Sequence, residues 1–75
     1  MEIKYIQLYD CLGWGANTTS GKIIEENEYK DGMWIPTVGN LIRLHLHEHD
    51  VIYEVIAVIY NKPTKVIRIK MEAYA

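Results

Sequence analysis

The sequence predicts an all-β protein, a small antiparallel barrel of about five strands with no substantial helix. The stretch from Trp34 to Met71 contains three apolar, β-branched runs separated by two polar turns, which is typical of a three-stranded antiparallel meander. Apolar and polar residues alternate along much of the chain, and no segment keeps helical spacing for more than one turn. A chain with few short strands hides its sheet edges most economically by curling into a barrel.

The first 33 residues predict two further strands. Residues 2–10 alternate so that Ile6 and Leu8 share one face of a strand. Residues 11–21 contain three glycines, break the alternation and place Trp14 in a loop. Residues 22–29 predict a short edge strand. The Asp31-Gly32 pair then predicts a tight turn, because glycine adopts the positive φ that such a turn needs.

The next strand is predicted over residues 41–49, with the turn at residues 48–50. Its apolar face contains Ile42, Leu44 and Leu46. Its polar face contains Arg43, His45, His47 and His49.

Two more strands complete the meander, over residues 51–60 and 65–74, joined by a turn at residues 61–64. In the second of these, Ile67, Ile69 and Met71 are expected to face the core. The first is apolar on both faces, which is typical of a strand buried on both sides. Because one small barrel has a single interior, we expect its second apolar face, with Ile52, Ile56 and Val58, to contact another chain, a loop or a ligand.

Composition limits the classes of function. Seventy-five residues form a single domain, residues 1–75, whose core is small. The formal net charge of −2 provides no general attraction to phosphates, so a dedicated nucleic-acid partner is not expected. Cys11 is the single cysteine and excludes an internal disulfide. With neither a signal peptide nor an apolar membrane segment in the sequence, we expect a cytoplasmic protein with no membrane partner.

Three histidines form the most conspicuous cluster of potential metal ligands. On one strand, His45, His47 and His49 would project from the same side about 6.6–6.8 Å apart. Imidazoles so placed suit zinc or nickel. A solvated outer face is the favoured explanation, because alternation places polar residues of any type there and the triplet fits no standard metal signature. We expect no bound metal and no other cofactor, and keep the histidine face as the alternative.

The glycine-rich loop is the candidate ligand site. It fails the phosphate-loop pattern, since Gly15 and Gly21 are separated by five residues rather than four and Ile23 replaces the magnesium-binding Ser or Thr. Its amides and hydroxyls could still hold a small anion while Trp14 stacks on a base. The predicted ligand-binding residues are Trp14, Asn17, Thr18, Thr19, Lys22 and Arg43. The alternative is that the loop only packs its Trp against the barrel.

The remaining charged and nucleophilic residues predict no catalytic site. Cys11 has no basic neighbour in the sequence and is expected to be a buried, inert thiol. An acidic patch precedes the Asp31-Gly32 turn and consists of Glu25, Glu26, Glu28 and Asp31. Lys65, Arg68 and Lys70 form a basic strand face that could contact RNA. We therefore expect a protein that is not an enzyme.

The spacing of the apolar positions resembles that of a known fold family. The order Pro36-x-Val38-Gly39-x-x-Ile42-x-Leu44, then Tyr53-x-Val55-x-x-Val58, then Val66 and Ile69, is similar to SH3-like small β-barrels. Short phage and bacterial accessory proteins have a similar layout. The resemblance covers about half the chain and concerns core positions alone, so it implies a fold and no functional residue.

These observations favour a non-enzymatic binding protein that forms a homo-oligomer. The first specific hypothesis is a phage or mobile-element inhibitor that docks on a host protein. Its contact surface would consist of the acidic patch before the Asp31-Gly32 turn, Trp34, and the face of Ile52, Ile56 and Val58. The alternative is an oligomer that sequesters a nucleotide-like anionic ligand between subunits, using the loop, Trp14 and Arg43. A third hypothesis is RNA contact through Lys65, Arg68 and Lys70.

Overall fold

The structure, a computed structural model, describes residues 2–74 and is built from β-strands. The strands are β1 (Tyr5–Asp10), β2 (Lys22–Glu28), β3 (Leu41–Leu46), β4 (His49–Asn61) and β5 (Val66–Ala73). They form one sheet in the order β2-β1-β5-β4-β3, and none of the residues from 2 to 74 is helical. The prediction of a small all-β fold with about five strands is confirmed.

The meander is confirmed, and one strand pair departs from the antiparallel expectation. β3 pairs with β4 and β4 with β5, both antiparallel, while β2 pairs antiparallel with β1. β1 and β5, however, run parallel. Parallel neighbours need a long connection, and the chain supplies one by building β2, β3 and β4 between them. The alternation of side chains within a strand does not indicate whether its neighbour runs parallel or antiparallel. The parallel pairing of β1 and β5 could therefore not be predicted from the sequence pattern.

The sheet curls strongly into a half-barrel whose free edges are β2 and β3. Over the described strands, no Cα atom of β2 lies within 8 Å of one in β3. The segment 29–40 connects these two edges, and it places Ile35 against the core and buries Pro36. The connection therefore covers one end of the half-barrel, and the opposite end stays open.

The core lies on the concave face of the sheet. Its buried members are Ile6, Tyr53, Val55, Ile67, Ile69 and Met71. The prediction that Ile67, Ile69 and Met71 face inwards is confirmed. Ile6 and Leu8 of β1 lie opposite Ile67 and Ile69 in the parallel register, so they join the same face.

A β-bulge in β4 corrects which residues were predicted to share each of its two apolar faces. Val55 pairs with Met71 and Ala57 pairs with Lys70, so Ile56 is the extra residue. One inserted residue exchanges the two faces of a strand. Tyr53 and Val55 before the bulge and Val58 and Tyr60 after it therefore share the inner face. Ile52 lies on the outer face, which means that Ile52, Ile56 and Val58 do not form one surface.

The hairpin between β3 and β4 is tighter than predicted. β3 ends at Leu46, and a two-residue turn of His47 and Glu48 follows, with φ values of 48° and 67°. Two positive φ values are the signature of a type I′ turn, which matches the twist of the flanking strands. His45 consequently pairs with Asp50, and His49 with Leu46. The expectation that His45, His47 and His49 share a strand face is wrong.

Candidate functional site

The glycine-rich loop, residues 11–21, is fixed against the outer face of the sheet by a buried lysine. Lys70 is 7% exposed, and its Nζ donates to the carbonyl oxygens of Ala16 and Thr18 at 2.7 and 2.9 Å. Beside it, the Tyr9 hydroxyl accepts a hydrogen bond of 2.6 Å from the Gly21 amide. A Cβ atom at Gly21 would lie 2.4 Å from the Tyr9 ring, so this position requires glycine.

The inner side of this loop is therefore suited to a cation rather than an anion. Its carbonyl groups point at Lys70, and several of its amides already have protein acceptors. The amides in use belong to Leu12, Trp14, Thr18, Ser20 and Gly21. A nest that binds an anion needs several free amides that converge on one point. The loop thus provides weak support for the predicted anion site.

The six residues predicted to bind a ligand are distributed over three parts of the fold. Trp14 is 73% exposed, and Asn17 and Thr19 are exposed while Thr18 is half-buried. Lys22 begins β2, opposite Asp10. Arg43 lies on the outer face of β3, and β4 separates it from the strand that holds the loop. An inter-subunit pocket of the sequestering hypothesis would have to bring these parts together.

The open end of the half-barrel contains a groove of about 670 Å³. It is lined by Asp10, Leu12, Lys22, Ile23, Ile24, His45, Leu46, His47, His49, Val51 and Tyr53. The Tyr53 hydroxyl donates to Asp10 Oδ2 at 3.1 Å, and Asp10 Oδ1 accepts from the Leu12 amide at 2.7 Å. Burial, together with the bond to this carboxylate, raises the pKa of Tyr53. Both Asp10 oxygens already have partners, so this pair has a structural role at the groove.

The histidines around this groove do not form a metal centre. His45 Nδ1 lies 2.8 Å from Asp50 Oδ1, and both side chains are largely exposed. Within residues 2–74, no three His, Cys, Asp or Glu side chains come close enough together to hold a metal ion. The two-residue hairpin is the physical reason, because it sends His45 and His49 to opposite faces of the sheet.

Cys11, the first residue of the glycine-rich loop, is fully buried, as the sequence predicted. Its amide donates to the Met71 carbonyl at 2.9 Å, which extends the β1–β5 pairing past the end of the strand. Burial raises the pKa of the thiol, and this effect exceeds the opposing influence of the Lys70 charge. A thiol that stays protonated is a poor nucleophile at neutral pH.

The cations of the predicted basic face have partners within the chain. Lys65 Nζ lies 2.6 Å from Glu2 Oε1, a contact that lowers the pKa of Glu2 and raises that of Lys65. Lys70 is occupied by the loop carbonyls. Arg68 stacks over the Tyr9 ring, 4.6 Å from its centroid. β5 therefore exposes a single guanidinium group, that of Arg68, whose orientation is fixed. It does not provide the row of unpaired cations that would bind successive phosphates of an RNA backbone.

The segment 28–34, here called the acidic loop, exposes acidic and large apolar side chains together. Trp34 is 65% exposed and Met33 is 37% exposed, and Glu28 and Asp31 are exposed in the same segment. The Met33 amide donates to the Lys30 carbonyl at 2.9 Å, and Gly32 has a φ of 85°. The predicted Asp31-Gly32 turn is thus confirmed, and it projects Trp34 from the body of the sheet.

Sequence reasoning missed three structural contributors, Tyr9, Gly21 and Met33. Tyr9 and Gly21 meet because a bulge in β2 shifts the β1–β2 register, which no local pattern announces. The exposure of Met33 could have been predicted, because Met33 and Trp34 directly follow a predicted turn. Two adjacent apolar residues at the end of a tight turn often remain exposed.

Comparison with family models, curated proteins and solved structures finds no match for this chain. The resemblance to SH3-like barrels therefore stays a prediction. Over the described residues, no helix is long and apolar enough to cross a membrane.

Proposed function

We propose that this chain is a non-enzymatic binding protein that docks on another protein through the acidic loop. The observation that carries the proposal is the exposure of Trp34, 65% of whose surface is in contact with solvent. Tryptophan is among the residues most enriched at the energetic centres of protein interfaces. The neighbouring residue Met33 is also exposed, and contiguous exposed apolar residues, unlike single ones, are typical of interaction surfaces.

The charges around Trp34 define the chemistry of the partner. Glu28 and Asp31 precede the apolar pair and, with Lys30 between them, leave the segment with a net negative charge. A complementary surface would therefore combine an apolar pocket with a basic rim. Acidic groups at such a rim accelerate association more than they strengthen the final complex. Inhibition of a host protein is the specific form of this proposal, suggested by the similarity of the chain's size and layout to short phage and mobile-element accessory proteins.

Three features of the structure support a function without catalysis. The Cys11 thiol is buried and protonated, and the Asp10 and Tyr53 pair is internally satisfied. Lys70, the buried amine, donates to two backbone carbonyls. Each of these groups stabilises the fold, which leaves recognition as the role of the exposed surface.

The test compares two exposed tryptophans in one binding experiment. The partner is captured by cross-linking in source cells and purified, and its affinity is measured by calorimetry. Trp34→Ala should weaken binding by about tenfold or more, the usual effect of removing an interface tryptophan. Trp14→Ala, in the other loop, should change the affinity by less than about twofold. Equal affinities for Trp34→Ala and the unchanged protein would refute the proposed surface.

Native mass spectrometry of protein purified directly from cells separates this proposal from the sequestering hypothesis. A bare chain, or a complex with another protein, agrees with docking. A small mass that the oligomer retains and that is lost when its subunits separate would instead support sequestration between subunits. The same spectrum tests the homo-oligomer, for which we propose the outer face of β4, where Ile52 lies and Val58 does not.

A further inference from the structure

The outer face of the sheet contains a second hollow, of about 360 Å³, that none of the functions above uses. It is lined by Gln7, Ile59, Asn61, Thr64, Val66, Arg68 and Lys70. It lies where the parallel β1–β5 pair meets the second half of β4. Arg68 is the central charged group of its wall.

The Arg68 side chain is held in one orientation. Its guanidinium stacks over the Tyr9 ring at 4.6 Å, and its Nε donates to Gln7 Oε1 at 3.2 Å. Gln7 in turn donates through Nε2 to Glu26 Oε2 at 2.7 Å, which fixes which way its amide faces. A guanidinium held by stacking and by a hydrogen bond loses little further freedom when a ligand binds.

The outward edge of this guanidinium has no partner within the described chain. The ion pairs found over residues 2–74 are His45–Asp50 and Lys65–Glu2, and neither involves Arg68. Gln7 accepts from Nε alone, so the two Nη groups keep four donor hydrogens at the wall of the hollow. This paired-donor edge matches the two oxygens of a carboxylate or phosphate group.

The other walls supply a second donor and an apolar flank. Asn61 Oδ1 accepts from the Thr64 amide at 3.3 Å, which leaves the Asn61 Nδ2 hydrogens as donors. Ile59, directly opposite Arg68 in the β4–β5 register, is 46% exposed, and Val66 adds further apolar surface. No carboxylate lines the hollow, and the charge of Lys70 adds to the positive potential.

We propose that this hollow binds the oxyanion group of a small molecule, a carboxylate or a phosphate, whose adjoining part is apolar and lies against Ile59 and Val66. A single held arginine in a concave wall suits one compact anion, whereas a polyanion requires a row of cations. The site is separate from the acidic loop, and its ligand could load while a protein occupies Trp34.

The test uses the two arginines of the chain. The Nε–Hε signals of Arg68 and Arg43 are followed by NMR during titration with inorganic phosphate and, separately, butyrate, at constant ionic strength. We expect a saturable shift at Arg68 and at the Gln7 side-chain amide. Arg68→Lys should weaken binding by about tenfold or more, because lysine cannot offer a planar pair of donors. Arg43→Lys, at an exposed position on β3, should change it by less than about twofold.

The two probes distinguish the source of the oxyanion. Tighter binding of butyrate indicates a carboxylate with an apolar tail, and tighter binding of phosphate indicates a phosphorylated ligand. Both agree with the proposal. Linear, unsaturated shifts at both arginines would overturn it, because they indicate weak association with any surface cation.

A second variant keeps Arg68 but provides its guanidinium donors with an acceptor from the chain itself. Ile59→Glu places a carboxylate opposite the guanidinium, as a tethered occupant of the hollow. Because residue 59 is partly exposed, the fold should survive, which the dispersion of the amide spectrum verifies. Loss of phosphate and butyrate binding is expected. Unchanged binding in a folded Ile59→Glu protein would place the anion elsewhere and refute the site.

Discussion

The ammonium group of Lys70 donates a hydrogen bond of 2.7 Å to the carbonyl oxygen of Ala16, across the interface between β5 and the glycine-rich loop. A second bond reaches Thr18, so one side chain replaces water at two carbonyls. Hydrogen bonds from a charged donor contribute about 1.5–3 kcal/mol each when the partner would otherwise be left unsatisfied. This contact explains how a loop rich in glycine, with little apolar content, stays ordered against the sheet.

Lys70→Met should therefore loosen the loop and lower the free energy of unfolding by about 3 kcal/mol or more, because two such bonds are lost. Urea denaturation measures the change, and hydrogen exchange at the Gly21 amide reports the loop directly. Lys62→Met, at an exposed position of the β4–β5 turn, is the matched control and should stay within about 0.5 kcal/mol. Equal stability of the two variants would show that Lys70 does not fix the loop.

The hairpin turn stores strain that one substitution can relieve. Glu48 has a φ of 67°, a conformation that costs a residue with a Cβ about 1–2 kcal/mol. Glu48→Gly should raise the free energy of unfolding by about 0.5–1 kcal/mol, since glycine's greater freedom in the unfolded chain offsets part of the gain. Glu48→Ala retains the Cβ and should give no such gain. Urea midpoints that rank alanine at or above glycine would contradict the turn geometry.

Stability should fall on the alkaline side. The pKa values of Cys11 and Tyr53 are raised in the folded protein from ordinary values of 9.0 and 10.0, in both cases chiefly by burial. The unfolded chain therefore loses these protons first. The stabilisation is complete below about pH 9 and is lost as pH rises through the folded-state values.

Urea midpoints between pH 7 and 11 measure this loss. Cys11→Ala should flatten the early part of the decline and Tyr53→Phe the later part. Tyr5→Phe, at an exposed position, should leave the pH profile unchanged. A profile that is identical in all four proteins would show that neither buried group titrates differently in the folded state.

Cys11 should resist alkylation in the native protein. Its side chain is fully buried and its pKa is raised, so iodoacetamide at pH 8 must wait for local opening. We expect labelling, followed by mass spectrometry, to be about 100-fold slower or more than in urea. Lys70→Met should accelerate it, because Cys11 begins the loop that Lys70 fixes. Rapid native labelling would mean that the Cys11 thiol is accessible in the folded protein.

Zinc should leave the melting temperature unchanged. A ligand that binds the native state alone stabilises it in proportion to its affinity, and the described residues bring no three metal-binding side chains together. The measurement is a thermal melt with and without an excess of zinc chloride, repeated with His47→Ala. A zinc-dependent increase that His47→Ala abolishes would restore the histidine site.

The predictions agree best with the structure where a local sequence pattern allows a single interpretation. Ile67, Ile69 and Met71 face inwards as alternation requires, and Asp31-Gly32 turns because glycine permits its positive φ. Trp34 was predicted as an interface residue, and its side chain is exposed. The Arg68 hollow was not predicted, because its geometry depends on Gln7 and Tyr9 of a strand 61 and 59 positions away, and no pattern in the sequence predicts a parallel neighbour.

The sequence by itself determined the strand content, the meander and the inward face of β5, because side-chain alternation and turn residues act over a few neighbouring positions. The tertiary structure alone decided which residues of β4 meet the core and that His45 and His49 diverge. It also decided that Lys70, an apparent surface cation, is buried. The physical reason is the period of two in a β-strand, in which a bulge at Ile56 or a turn two residues long exchanges inside and outside. The position of a bulge or turn depends on the register with the partner strand. That register is set by residues far away in the sequence as much as by near ones.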